Sequence, residues 1–392
     1  MKKVGNWFAA SWIGLLLSVL VIGGLAGLLL FDIGGMLPNL SKNEVAQASS
    51  SSSVQNLIKN PLGLPHKLPQ LAVQQLRPSP AAIRSVSALI GLLTIGSFYY
   101  VLKNWYTKRI AILGTLLFAT SAWFLHSART GTDTSVYLLL FVAIACVSWL
   151  QQTKGSIVSV LASAVLVIAL LYIPGMIWIV LPVVLWQISR VGDILEGQNA
   201  GLLTLLSLVI LATLAPIGWA MYLDHDLIKT YFGLPQAFPE PIQIVKNIAN
   251  VPVQLFIRGP NNPETWLGRI PLLSLFSSVM FIIGLYAYFL MRRLDRTWFI
   301  AYVLVVGTVL VGLGGPVDLT IILPFIYLIA VGGIAFMLQQ WFMVFPRNPF
   351  ARATGTLLMT AAILLASFNG ISHYFIAWPN TPATKQVFIH RR

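Results

Sequence analysis

Apolar runs constrain this chain more than any other feature. Eleven of them, most near the ~20 residues a helix needs to cross a bilayer, stretch from about Trp7 to Phe31 and then over Ala81–Asn104, Ile110–Leu125, Thr132–Leu150, Ser156–Tyr172, Gly175–Ile188, Gly201–Leu223, Ile270–Met291, Trp298–Leu313, Leu319–Trp341 and Ala353–Ile371. With 57% hydrophobic and only 9% charged residues, the 392-residue chain is excluded from the ordinary soluble class. The expected fold is an all-α polytopic membrane protein of about eleven transmembrane helices, read as a single domain over 1–392.

Charge orients the bundle. Lys103, Lys108, Arg109, Lys154, Arg190, Arg292, Arg293, Arg296, Arg347 and Arg352 fall in short connections on the same side as Lys2 and Lys3. By the positive-inside rule that side is cytoplasmic, with the N-terminus inside and the C-terminus outside. The first run is longer than the ~7–15 apolar residues of a signal peptide and is read as a retained span. The net charge of +14 is spread over loops and helix ends, which points to topology and to lipid or phosphate contact, and away from nucleic acid. The single cysteine, Cys146, lies in an apolar run and is read as a packing residue.

Two wet segments interrupt the runs on the outer side, over 32–80 and 224–269. In the first, from Phe31 to Arg77, the apolar positions Val54, Leu57, Ile58, Leu62, Leu68, Leu71 and Leu76 suggest short helices lying on the bilayer. The stretch NPLGLPHKLPQ, Asn60 to Gln70, carries three prolines, is not expected to form a regular helix, and presents His66 and Lys67 at the membrane edge. Asp32 closes the first span beside Gly34 and Gly35. Glu44, three residues after Ser41, is equally readable as a capping box or as a functional carboxylate. In HSARTGTD, Arg129 and Asp133 stand at the outer ends of two spans, where a surface ion pair is the plain alternative.

The order of an acidic end to the first span, a helical outer loop, NPLGLPHKLPQ, and then RPSPAAIRSVSALIGLL through HSARTGTD resembles the GT-C fold polyprenyl-phosphate sugar transferases. The group in question is that of the protein O-mannosyltransferases and aminoarabinose-lipid A transferases, and the likeness is clearest over residues 10–150. The resemblance implies a glycosyltransferase that takes a hexose or pentose from a polyprenyl-phosphate carrier and passes it to a lipid, glycan or protein acceptor on the non-cytoplasmic face. Arg129 and Asp133 match the family's second-loop residues. Its adjacent Asp-Glu pair is matched here by Asn43-Glu44, a departure at the first position.

Such chemistry needs a carboxylate to take the acceptor's proton and cations to receive the departing phosphate. Asp32, Glu44 and Asp133 are the candidate catalytic carboxylates, and His66, Lys67 and Arg129 the candidate phosphate ligands. The same three carboxylates are the ones to hold a divalent cation, Mg or Mn, if the reaction uses one. A secondary transporter or lipid flippase shares the span count, and a non-catalytic scaffold is the third class; spans almost free of ionisable residues argue against proton-coupled transport.

Overall fold

The computed structural model describes residues 23–37, 39–76, 79–153, 156–186 and 200–388. The start of the first span, together with Lys2, Lys3, Arg77, Lys154 and Arg190, lies outside them. Helix α1 occupies 23–30. The first outer loop then folds into α2 (Lys42–Ser50), α3 (Val54–Lys59) and α4 (Leu64–Leu76). Within these helices Leu57 and Leu71 are buried, as is Leu62 between them, while Val54, Ile58 and Leu68 are exposed, a two-sided pattern that fits helices laid along an apolar surface. Helix α4 corrects the expectation for the proline stretch. Pro61 precedes it and Pro65 sits in the first turn, where no intrahelical N–H is needed, so only Pro69 removes a helical bond.

The spans follow: α5 (Pro80–Trp105), α6 (Lys108–Ala119), α7 (Ala122–Arg129), a 3-10 turn over Asp133–Leu138 leading into α8 (Leu139–Gln152), α9 (Ile157–Leu171), α10 (Ile177–Trp186) and α11 (Ala200–Leu223). The second outer loop carries α12 (Asp226–Tyr231) and α13 (Pro241–Phe256). Then come α14 (Leu275–Leu290), α15 (Asp295–Gly312), a 3-10 turn over Leu319–Ile321, α16 (Leu323–Val344), α17 (Pro349–Ser372) and the terminal α18 (Pro382–Val387). Among the described residues, five helices are long and apolar enough to span a membrane alone, a bent pair makes a sixth, and shorter apolar helices accompany them. This is an all-α polytopic membrane protein.

Two packing features position the outer end. Helix α16 is buried along most of its length and crosses α14 at backbone distance: a Cβ on Gly284 would strike the Ile329 carbonyl, and one on Gly333 the Met280 carbonyl. Small residues permit that approach where lipid supplies no hydrophobic drive. The run expected as one span over Ile110–Leu125 is two helices, α6 and α7, bent by 64°. Gly370 of α17 packs against the Thr120 carbonyl at the break, and Ser121 restarts the helix by accepting the Phe124 N–H at 3.3 Å. The bend carries Arg129 and the turn after it toward the first outer loop.

Candidate active site

Glu44 lies 2% exposed at the centre of the outer end. It completes a capping box with Ser41, each backbone N–H reaching the other's side chain at 3.1 Å. From α5, Arg84 grips the same carboxylate through both Nε (2.7 Å) and Nη2 (2.8 Å), and the Gly131 N–H adds a bond at 2.8 Å. Two further guanidinium protons go to the Ile33 and Asn39 carbonyls, at 3.2 and 3.0 Å. Both carboxylate oxygens therefore carry two donors each, and the ion pair ties α2, α5, the segment after α1 and the 129–133 turn together. Buried Gln70 adds a second stitch from α4, accepting from Ser51 at 2.6 Å and donating to the Gly131 carbonyl at 3.3 Å.

Arg129 is engaged through its two Nη atoms, while its Nε is buried with no hydrogen-bond partner among the described residues. Its Nη atoms donate to the Leu28 and Phe31 carbonyls at 2.5 and 2.6 Å, satisfying the C-terminal end of α1, and its guanidinium stacks 4.7 Å over Phe375 and 5.3 Å over Tyr374. Asp32, just beyond that end, adopts φ +47 and lays its exposed carboxylate over Gly35.

A second cluster is less committed. Gly63, held at φ +76 and donating to the Tyr172 carbonyl at 2.8 Å, leaves room above its Cα for two side chains. A Cβ there would meet Asp133 Oδ2 at 3.3 Å and Lys67 Cε at 3.7 Å. Lys67 is nearly buried and donates one bond, to the Asn60 carbonyl at 3.1 Å. Burial pushes its pKa down and the nearby Asp133 carboxylate pushes it back up. Asp318 adds a carboxylate whose field reaches Asp133, while it caps its own turn by accepting from the Thr320 N–H (2.8 Å) and hydroxyl (2.5 Å).

Beside Lys67, His66 is fully buried with Nε2 at 3.0 Å from Ser87 Oγ, which also accepts from the Ser135 hydroxyl at 3.1 Å. Burial first, and Lys67 second, lower its pKa to about 3. It is neutral in the physiological range, so toward a phosphate it offers a hydrogen bond and no charge. The folded chain refuses a proton that the unfolded chain binds below the ordinary histidine pKa of 6.5. Stability is therefore fully present above that value and falls with acid by about 1.4 kcal/mol per pH unit until the folded group titrates. Thermal melts of detergent-solubilised protein between pH 7 and pH 5 should show His66→Gln losing less stability than wild type; equal losses would refute this account of His66.

The second outer loop closes over the first. Glu264, 8% exposed, accepts from Ser41 Oγ at 2.5 Å and Asn43 Nδ2 at 2.7 Å, and the neighbouring Pro263 carbonyl takes the Trp378 indole N–H at 3.0 Å. Burial raises the Glu264 pKa, Ser41 and Asn43 hold it down, and Glu44 adds a smaller upward push. An aspartate at 43 would set a second anion against this carboxylate, whereas the amide donates to it. Asn43 is thus matched to Glu264.

No protein-family model and no curated protein sequence matches the chain. Its fold does have counterparts among solved structures. ArnT from Cupriavidus metallidurans, in the apo state and bound to undecaprenyl phosphate, superposes with a TM-score of 0.55 in each case, covering 97% of this chain and 77% of ArnT at 14% identity. The fold is GT-C-like.

Within this GT-C-like frame, Lys67 and Asp133 come together over Gly63 and the His66 ring is buried against Ser87, whereas Glu44 and Arg129 serve as ties and Asp32 stands at the end of α1. Among the described residues no three His, Cys, Asp or Glu side chains converge in a metal-holding group. With both Glu44 oxygens saturated, Asp32, Glu44 and Asp133 do not fit a shared divalent cation. Sequence reasoning assigned no role to Arg84, Asp318 or Glu264. For Arg84 a signal existed: it is a lone cation near the start of a 26-residue apolar helix, and such a residue calls for a partner.

Proposed function

We propose that this protein is a membrane glycosyltransferase that moves a sugar, hexose or pentose, from a polyprenyl-phosphate carrier to an acceptor on the non-cytoplasmic face. The observation that carries the reading is the juxtaposition of Lys67 and Asp133 over Gly63, in a chain whose fold matches ArnT along nearly its whole length. In one of those structures ArnT holds a polyprenyl phosphate. Asp133 takes the proton of the acceptor hydroxyl as its oxygen bonds to the anomeric carbon. The carbon–oxygen bond to phosphate breaks, and the phosphate departs with the electron pair toward the Lys67 ammonium. Asp32, exposed beyond α1, is the second candidate base.

An apolar groove of about 700 Å3, lined by Ile58, Ala212, Pro216, Trp219 and Tyr222, suits the isoprenoid tail. It lies close to the loop that holds Lys67, since Asn60, which bonds the ammonium, follows Ile58 by two residues. The face is assigned from Lys103, Lys108, Arg109, Arg292, Arg293 and Arg296, which cluster at the opposite end of the bundle.

The test is transfer in proteoliposomes loaded with sugar-labelled polyprenyl phosphate and crude envelope acceptors. Labelled acceptor and free polyprenyl phosphate should appear together. Movement of intact donor between leaflets with no bond cleavage would indicate a flippase and defeat the proposal.

A further inference from the structure

At the end of the bundle away from Asp133, a cavity of about 910 Å3 opens between α5, α6, α14 and α16, at the upper end of the ~300–1,000 Å3 range of small-molecule sites. Its wall is apolar, with Leu113, Leu290 and Phe336, and polar at Tyr106, whose hydroxyl pairs with that of Tyr288 at 3.1 Å. Two cations line it. Arg109 is exposed at the start of α6. Arg296, on the first turn of α15, lies with its guanidinium carbon 5.0 Å over the Trp105 ring, and its Nε is buried with no partner among the described residues. Its Nη2 makes a weak bond to Met291 Sδ at 3.8 Å. No carboxylate is among the described residues of this wall; Asp295 lines the adjoining cavity of about 350 Å3.

We propose that this cavity binds an anionic phospholipid of the facing leaflet, its phosphate held by Arg296 and Arg109 and its acyl chains lying along Leu113, Leu290 and Phe336. Charge complementarity selects that occupant. A planar guanidinium fixed on an aromatic ring, with an unused N–H, matches the oxygens of a phosphodiester, and the apolar wall matches acyl chain. Around it, Lys103, Lys108, Arg292 and Arg293 supply a cationic rim of the kind that draws anionic headgroups.

Native mass spectrometry of the full chain in detergent, titrated with phosphatidylglycerol or phosphatidylcholine, tests this. The first phosphatidylglycerol should bind wild type roughly tenfold more tightly than Arg296→Gln, from loss of charge-assisted hydrogen bonding. Arg347→Gln, a cation on the same face outside the cavity, should behave as wild type, and phosphatidylcholine should not distinguish the variants. Should Arg296→Gln fail to fold, Arg109→Gln at the exposed rim must show the weakening. Equal phosphatidylglycerol affinity in wild type and the cavity variant overturns the site, as does an equal loss in Arg347→Gln. Displacement of the lipid by excess inorganic phosphate would reveal a free-anion site and overturn it too.

Discussion

Glu44→Gln should cost the folded protein about 3–5 kcal/mol, the range for removing one member of a buried ion pair. The substitution leaves Arg84, only 2% exposed, with its charge uncompensated, and weakens the links to α2 and the Gly131 turn. Unfolding in mixed micelles, followed by far-UV signal, should show the loss directly. The double variant Glu44→Leu with Arg84→Leu should lose less than the sum of the two single changes, since no orphan charge remains. This experiment also separates the two readings of Glu44. A variant as stable as wild type but unable to transfer sugar would make the carboxylate catalytic, against its four hydrogen bonds.

Asp133→Asn should lower the transfer rate by about a hundredfold or more, the usual cost of a positioned base, with donor affinity little changed. Lys67→Ala should instead weaken donor binding, because it removes the ammonium assigned to the phosphate. The pH profile gives an independent check on Lys67. Burial lowers its pKa in the fold and Asp133 pushes it back up, so its charge is lost as pH rises through a value below the ordinary lysine 10.5. Donor affinity should fall on that alkaline limb, and Lys67→Arg should extend it upward. If Asp133→Asn keeps full rate while Asp32→Asn does not, the base is the carboxylate at the end of α1.

The sequence by itself determined that this is an all-helical membrane bundle, and it marked the first outer loop as a set of short helices. Both are local properties: the length of an apolar run decides whether it can span, and Ser41 followed by Glu44 announces a helix start within one turn. The tertiary structure decided everything that depends on partners distant in the chain. Glu44 meets Arg84 across 40 residues, Arg129 meets the Leu28 carbonyl across 101, and Ser41 meets Glu264 across 223. No periodicity encodes such meetings, so a carboxylate that is a tie and one that is a base read alike in the sequence. The same holds for the break between α6 and α7, where Gly370, from a helix far along the chain, packs against the Thr120 carbonyl at the bend. Lys67 and Asp133 were legible as charged residues at the outer end. Their juxtaposition required the left-handed turn at Gly63 and the bonds that hold it.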